Sequence, residues 1–173
     1  MSIPLHQLRA GVIGTGFIGP VHIEALKRLG VRVTAICGST KSARSCADKW
    51  GIPEVYGDYD CRAMFASPNV DVVHITSPNK VHVAQSLAAL AAGKHVVCEK
   101  PLEVSLERID EMIRACAERG VHLAAIHQRR FLDSTRVFKQ AVEAGRFGRL
   151  TLADAYVKWF RTQQYYDQGA WRG

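Results

Sequence analysis

One lysine of this 173-residue chain stands where it could carry a proton in a redox reaction. It is Lys100, which lies between Glu99 and Pro101 directly after the apolar run 95–98. Such a run predicts a buried strand, and sites in parallel sheets lie at the carboxyl ends of the strands. Partial desolvation and a cationic nicotinamide nearby make an ammonium group release its proton more readily, so the amine could accept the hydroxyl proton of an alcohol. A surface lysine without a chemical role is the alternative.

A glycine-rich loop upstream of Lys100 indicates the kind of cofactor with which this lysine would act. It reads Gly14-Thr15-Gly16-Phe17-Ile18-Gly19, follows the apolar run 9–13 and precedes residues with helical spacing. In this pattern the first glycine allows a tight turn, the second lets the backbone approach a pyrophosphate, and the third allows close packing of the helix. The first N–H groups of that helix would then bind the phosphates. The loop predicts a dinucleotide site; a tight strand-to-helix turn without a ligand is the alternative.

The residues after the second predicted strand indicate which dinucleotide binds. An NAD site usually has an Asp or Glu there, which holds the ribose hydroxyls. This chain instead has Ser39 and Thr40, and no carboxylate before Asp48. These hydroxyls could donate to a 2′-phosphate, and Lys41 and Arg44 could neutralise it. The sequence favours NADP, and NAD stays open. For Lys41 and Arg44, the alternative is that they are solvated surface charges.

Strand-like and helix-like segments alternate up to residue 126, as they do in βαβ units. The predicted strands cover 9–13, 31–37, 55–56, 71–76, 95–98 and 121–126, and the predicted helices cover 17–29, 41–50, 81–92 and 105–119. Six strands in this order make a complete α/β domain, a doubly wound parallel sheet of the Rossmann type. We expect a dinucleotide-binding domain over residues 1–126, with Ser105 as the N-cap of the last helix.

The remaining residues, 127–173, are predicted to begin a second domain. A helix is predicted over 133–144 and a long antiparallel-type strand over 151–160. One helix and one strand cannot bury a core of their own, and an unpaired strand exposes an edge that promotes aggregation. We therefore expect an incomplete α+β domain, which a longer protein would complete for substrate binding and oligomerisation.

Composition narrows the classes of function. Hydrophobic residues make up 47% of the chain, and the longest apolar runs are too short to span a bilayer. With no secretory leader evident in residues 1–9, we expect a cytoplasmic protein without a membrane partner. Five widely spaced cysteines without a Cys-x-x-Cys pair predict neither a disulfide framework nor a metal site. Six of the seven net positive charges follow residue 118, but no basic stripe is interleaved with aromatic residues, so no nucleic-acid partner is expected.

Further motifs, taken with the two above, resemble the Gfo/Idh/MocA dehydrogenases, which include glucose–fructose oxidoreductase and inositol 2-dehydrogenase. The resemblance extends over essentially the whole chain. It rests on the glycine loop and on four other segments: Thr76-Ser77-Pro78-Asn79-x-x-His82, Ala92-Gly93-Lys94-His95-Val96-Val97-Cys98-Glu99-Lys100-Pro101, Gln128-Arg129-Arg130-Phe131 and 165–173.

The resemblance implies a role for each matching residue. Lys100 would lie beside the nicotinamide and the substrate carbon that gives up hydride, and Glu99 would hold this lysine or contact the ribose. For His82, a cofactor contact and a satisfied histidine at a helix N-terminus are both open. The other implied contacts are Thr76, Ser77, Pro78, Asn79 and Gln128 with the cofactor and Arg130, Trp171 and Arg172 with the substrate. For Gln128 and Arg130, a solvated pair of side chains is the alternative.

The resemblance also implies an activity, and the chain departs from the family pattern in one respect. The implied protein is an NADP-preferring dehydrogenase that acts on a secondary alcohol of a sugar, inositol or related polyol. It is implied to be a homo-oligomer in its full-length form.

Family members are longer and carry an Asp-x-x-x-His motif, to which none of the seven histidines here belongs. The chain is therefore expected to be an excerpt. A glycoside hydrolase that retains its NAD and a ligand-sensing regulator without turnover stay open as other classes.

Overall fold

A single sheet of six parallel strands forms the centre of the fold, for which a computed structural model describes residues 3–167. The strand order is β3-β2-β1-β4-β5-β6. The strands are β1 (Arg9–Ile13), β2 (Arg32–Cys37), β3 (Glu54–Tyr56), β4 (Val72–Ile75), β5 (His95–Cys98) and β6 (Leu123–Ala125). The predicted α/β fold of the Rossmann type is confirmed, and the strand ends differ from the prediction by at most two residues.

Helices connect the strands, and short 3-10 helices lie at Leu5–Gln7 and Asn79–Val81. The α-helices of this part of the chain are α1 (Ile18–Arg28), α2 (Thr40–Trp50), α3 (Cys61–Ala66), α4 (His82–Ala91) and α5 (Leu106–Arg119). Ser105 caps α5 as expected, because its side chain accepts a hydrogen bond from the N–H of Arg108. Helix α3 is not predicted from the sequence, since six residues are too few to show a clear apolar period. Among residues 3–167 no helix is both long and apolar enough to cross a bilayer.

Hydrophobic clusters cover both faces of the sheet because successive strand residues point to opposite sides. Val12 belongs to a buried cluster that contains Ile23 of α1, whereas the next residue, Ile13, belongs to a cluster that contains Leu90 of α4 and Met64 of α3. The strands therefore lie between two helical layers, and these layers hold the carboxyl ends of the strands in place.

The strand order reverses between β1 and β4, which pair in the sheet although two strands separate them in the sequence. At such a reversal the connections leave in opposite directions and open a crevice at the carboxyl ends of the strands, where ligands bind. The glycine-rich loop follows β1, and Thr76 follows β4. The N–H of Thr76 donates to the carbonyl oxygen of Ile13 at 2.9 Å, so the two loops lie side by side at this crevice.

The chain divides into two compact units after Ile126. The second unit contains a 3-10 helix at Gln128–Phe131 and the helices α6 (Asp133–Glu143) and α7 (Gln163–Asp167). The predicted strand over 151–160 is wrong, because residues 150–162 have no regular secondary structure. A strand must pair with another strand to satisfy its backbone groups, and the described residues of this unit contain no second strand.

Candidate dinucleotide-binding and proton-transfer site

Two of the three glycines in the loop after β1 are packed so tightly that no side chain fits. Gly14 has a φ of 105°, and an added Cβ would lie 2.8 Å from the carbonyl oxygen of Thr76. At Gly19 an added Cβ would lie only 2.0 Å from the carbonyl oxygen of Gly14. These glycines therefore allow α1 and the end of β4 to pack directly against the loop.

The middle glycine, Gly16, faces open space. An added Cβ there would meet no atom within 4 Å, and the neighbouring Phe17 is 84% exposed. No side chain caps the N-terminus of α1, so the first N–H groups of this helix have no side-chain acceptor. An open loop before an uncapped helix N-terminus binds anions well, and these residues fit the pyrophosphate of a dinucleotide.

Hydroxyl groups link the glycine loop to the start of α2. Thr15 donates from Oγ1 to Oγ of Ser42 at 2.8 Å, and Oγ of Ser42 lies 2.7 Å from Oγ of Ser39. Ser39 also caps α2 by accepting from the N–H of Ser42. This cluster lies at the carboxyl end of β2, where the adenosine ribose of a dinucleotide binds in this fold. The structure thus brings the predicted residues Thr15 and Ser39 together.

A carboxylate lies at the same edge of the sheet and is not predicted from the sequence. Asp58, in the loop after β3, accepts a hydrogen bond from Oγ1 of Thr40 at 2.5 Å. In the sequence, Asp58 lies shortly after a predicted strand. Because β2 and β3 are parallel neighbours, their carboxyl ends lie at the same edge of the sheet, so this position is the signal that could have indicated the carboxylate. Lys41 and Arg44 of α2 are exposed. This edge of the sheet therefore combines the cations Lys41 and Arg44 with the carboxylate of Asp58. The hydroxyl hydrogen of Thr40 is already donated to that carboxylate.

Lys100 lies exposed, just past the carboxyl end of β5. The N–H of the preceding Glu99 donates to the carbonyl oxygen of Ile75 at 3.0 Å, which joins this loop to the end of β4. Lys100 is followed by a cis peptide bond to Pro101. A cavity of about 300 Å³ adjoins this loop and is lined by Asn79, Lys80, Pro101, Glu103 and Val104. Pro101, the residue after Lys100, thus joins this loop to a cavity that has room for a small ligand.

Glu99 is bound by protein groups at both carboxylate oxygens. Its Oε2 accepts from the backbone N–H of Lys100 at 3.0 Å, and its Oε1 lies 3.3 Å from Nε2 of His22 in α1. Nδ1 of His22 lies 3.0 Å from Nδ1 of His74 in β4. Burial and, secondarily, His22 lower the pKa of His74 to about 3. Glu99 is thus held by its own loop and by α1, and both roles expected for it, holding the lysine and contacting the ribose, stay predictions.

His82 belongs to the scaffold. Its exposed fraction is 0%, and its ring nitrogens lie 2.8 Å from the carbonyl oxygens of Ser77 and Pro101. The predicted cofactor contact of His82 is therefore wrong, because a ring with no exposed surface cannot touch a ligand. The alternative, a satisfied histidine at the start of a helix, is confirmed. His82 links the loop after β4 to the loop after β5.

The segment after β4 divides into an inner and an outer pair of residues. Thr76 donates from Oγ1 to the carbonyl oxygen of Ile13 at 2.8 Å, and Oγ of Ser77 bonds to Oε1 of Gln85. These two hydroxyls are used within the protein. Pro78 and Asn79 are exposed, so they are the members of the segment best placed to contact a ligand.

The other predicted residues do not fall in the first unit. Gln128 and Arg130 are exposed on the 3-10 helix of the second unit, and Trp171 and Arg172 lie outside the described residues. Within residues 3–167 no group of three or more His, Cys, Asp or Glu side chains is arranged to hold a metal ion. The five cysteines are free thiols.

A doubly wound sheet with an open glycine loop and an uncapped helix defines a dinucleotide-binding protein. Residues 8–127 match the family model of the Gfo/Idh/MocA proteins, described as an oxidoreductase family with an NAD-binding Rossmann fold. The chain belongs to this family, as its motifs indicate.

Named relatives include dehydrogenases and reductases. The myo-inositol 2-dehydrogenase of Thermotoga maritima is 34% identical over 144 residues, which are 82% of this chain and 42% of the relative. The 1,5-anhydro-D-fructose reductase of Ensifer adhaerens is 43% identical over 143 residues, again 82% of this chain and 42% of the relative. The crystal structure of the WlbA dehydrogenase from Bordetella pertussis, in complex with NADH and UDP-GlcNAcA, matches with a TM-score of 0.85 and 32% identity over 96% of this chain and 50% of that chain. The chain thus spans less than half the length of these two curated relatives.

Proposed function

We propose that the protein is an NAD(P)-dependent dehydrogenase that transfers a hydride between its nicotinamide cofactor and a secondary alcohol of a sugar, inositol or related polyol. The observation that carries this proposal is the position of Lys100. It is an exposed residue just past the carboxyl end of β5, at the same edge of the sheet as the open glycine loop, and the Pro101 that follows it lines a cavity. The inositol dehydrogenase and the anhydrofructose reductase among the relatives support the substrate class.

The cofactor would bind along the carboxyl edge of the sheet. Its pyrophosphate would lie over Gly16 and accept from the first N–H groups of α1, because this is where the loop is open and the helix uncapped. The adenosine ribose would meet the hydroxyl cluster around Ser39. The nicotinamide would reach Pro78 and Asn79, of which Asn79 lines the cavity together with Pro101, the residue after Lys100.

Lys100 would move the proton of the reaction. When bound, the nicotinamide supplies the hydride acceptor. As the carbinol C–H bond breaks towards that acceptor, the O–H proton passes to Nζ of Lys100 and the carbon–oxygen double bond forms. In the reverse direction Nζ returns the proton to the carbonyl oxygen. The hydrogen bonds of Glu99 to the backbone of Lys100 and to the end of β4 keep this loop in place.

We favour NADP as the cofactor. No carboxylate directly follows β2, and Lys41 and Arg44 of α2 could pair with a 2′-phosphate. Asp58 opposes this preference, because its carboxylate lies on Thr40 and would repel a phosphate. That contact favours NAD as the second candidate, since a carboxylate at this edge is what the 2′-hydroxyl of NAD requires.

We also propose that residues 1–126 form the dinucleotide-binding domain and that residues 127–173 begin a C-terminal domain for substrate and oligomer contacts. The division of the chain after Ile126 supports this boundary. In this arrangement Gln128 would contact the cofactor, and Arg130, Trp171 and Arg172 would contact the substrate. The protein would be a homo-oligomer in its full-length form.

Binding and turnover test these proposals separately. Titration of the 173-residue chain with NADPH and NADH, followed by nicotinamide fluorescence, should show binding of both, with NADPH tighter. The protein expressed from its complete gene should then reduce the cofactor with an inositol, sugar or polyol. Cleavage of glycosides by a protein whose NAD never exchanges would show the glycoside hydrolase class instead. Binding without any turnover would show a sensor.

A further inference from the structure

Three side chains from separate elements form a hydrogen-bonded row behind the Lys100 loop. Nδ1 of His74 in β4 lies 3.0 Å from Nδ1 of His22 in α1, and Nε2 of His22 lies 3.3 Å from Oε1 of Glu99. The side chains of His22 and Glu99 are only 10% and 13% exposed. The row therefore crosses from the central sheet through the first helix to the loop that follows β5.

The chemistry of the three groups determines which atoms donate. A carboxylate oxygen without a hydrogen can only accept, so a hydrogen bond between Nε2 of His22 and Oε1 of Glu99 takes its hydrogen from His22. When the single hydrogen of the His22 ring is on Nε2, the lone pair is on Nδ1, which then accepts from Nδ1 of His74. Burial lowers the pKa of His74 to about 3, so its ring is neutral, and in this arrangement its single hydrogen is on Nδ1, which faces Nδ1 of His22. The row thus runs in one direction, from His74 through His22 to Glu99.

The row ends on the backbone of Lys100. The second oxygen of Glu99 accepts from the N–H of Lys100 at 3.0 Å. Among residues 3–167, His22 is the only side chain within ion-pair distance of Glu99. The neighbouring Cys98 contributes no charge, because burial chiefly raises the pKa of its thiol to about 12. His22 is therefore the group that fixes the side chain of Glu99 in this loop.

We propose that His22 is a positioning residue for Lys100 and that His74 sets the tautomer in which His22 donates to Glu99. This inference rests on the function proposed above, because it assigns His22 to the placement of the proton-carrying amine. His22 lies one turn into α1, the helix whose N-terminus would bind the pyrophosphate. The row joins that helix to the Lys100 loop, so phosphate binding and proton transfer share one rigid framework.

Nitrogen-15 NMR of the 173-residue chain, with labelled histidine, reads the ring tautomers without a cofactor or turnover. The resonances are assigned with single His22 and His74 variants. At neutral pH we expect His22 to carry its hydrogen on Nε2 and His74 to carry its hydrogen on Nδ1. A doubly protonated His22, or a His22 ring with its hydrogen on Nδ1, would overturn the proposal.

Kinetics of the protein expressed from its complete gene test the positioning role. His22→Leu removes the donor to Glu99, whereas His22→Gln keeps an amide N–H near the place of Nε2. We expect His22→Leu to lose about tenfold in kcat and to change the Kd for NADH by less than about twofold, with His22→Gln recovering most of the loss. The control is His6→Leu, an exposed histidine elsewhere, and it should match the wild type. An unchanged kcat in His22→Leu, or no recovery with glutamine, would refute the role.

Three further outcomes keep the test decisive. If His22→Leu does not fold, His22→Asn replaces it, because asparagine places its amide near Nδ1 and leaves Glu99 without a donor. If the wild type binds no nicotinamide dinucleotide or oxidises no polyol, the proposed function fails, and the NMR tautomers still show whether the row exists. If the wild type turns over and the His22 variants equal it, the proposed function stands and the positioning role is refuted.

Discussion

One methyl group added at Gly16 is expected to reduce dinucleotide binding without affecting the fold. In Gly16→Ala the new Cβ meets no protein atom within 4 Å, and the residue is not among those with a positive φ. The free energy of unfolding should therefore stay within about 0.5 kcal/mol of the wild type. The same methyl occupies the space through which the pyrophosphate approaches the N–H groups of α1.

The loss of affinity follows from the bonds that this methyl displaces. A hydrogen bond to a charged phosphate oxygen contributes about 1.5–3 kcal/mol, so the loss of one such bond raises the Kd for NADH by about tenfold or more. Fluorescence titration with NADH measures the affinity, and urea unfolding followed by circular dichroism measures the stability. A stable Gly16→Ala variant that binds NADH as the wild type does would refute the assignment of the loop to the pyrophosphate.

Gly19→Ala is the matched control, because there the new Cβ would lie 2.0 Å from the carbonyl oxygen of Gly14. Relief of this clash requires the loop or α1 to move, and overpacking of this kind costs about 1–3 kcal/mol or more. Gly19→Ala should therefore lower the free energy of unfolding, unlike Gly16→Ala. Equal stability of the two variants would contradict the packing described for the loop.

Three other substitutions test the ribose edge and the buried histidine row. Asp58→Asn removes the carboxylate that accepts from Thr40 and should strengthen NADPH binding relative to NADH binding by about tenfold. Arg44→Ala should weaken NADPH binding relative to NADH binding. Unchanged ratios of the two Kd values in binding titrations would place the 2′ group of the cofactor elsewhere. The pKa of His74 is lowered from 6.5 to about 3, so the unfolded chain takes up a proton below pH 6.5 that the folded chain does not. Its stabilising contribution is thus complete above pH 6.5 and decreases as the pH falls towards 3. His74→Asn should flatten this part of the pH profile in urea unfolding, and an unchanged slope would refute the burial of a neutral ring.

Local sequence pattern was enough to predict the sheet. The central strands β1, β2 and β4 are mostly buried, so they read as continuous apolar runs, and β1 and β5 have the predicted ends. The need of Gly19 is also local, because a strand that turns directly into a helix brings its own backbone close, here the carbonyl oxygen of Gly14, whereas the atoms that exclude a side chain at Gly14 belong to the distant Thr76. The fold and its glycine loop could therefore be recognised before the structure.

Contacts between distant residues could not be predicted in this way. Periodicity tells which face of its own element a residue occupies and gives no information on the neighbour that faces it. His22 and Glu99 are 77 residues apart, and Thr40 and Asp58 are 18 apart; both pairs depend on how the elements pack. His82 is a related case, because a histidine at a helix start can face a ligand or the neighbouring loops with the same spacing.

The region 151–160 shows the converse error. Alternation of apolar and polar residues is a property of one segment, whereas a strand exists only where a second segment pairs with it. Among the described residues of the second unit no such partner is present, so the alternating pattern of this region does not form a strand.

The most direct test of the proposed function is a comparison of the wild type with Lys100→Met, both expressed from the complete gene. The Kd for the cofactor comes from fluorescence titration, and the rate of hydride transfer comes from a single turnover with an active polyol. We expect a Kd within about twofold of the wild type and a rate lower by about 100- to 10,000-fold, as the loss of a general base predicts. A retained rate in Lys100→Met with the cofactor bound would contradict the assignment of proton transfer to Lys100.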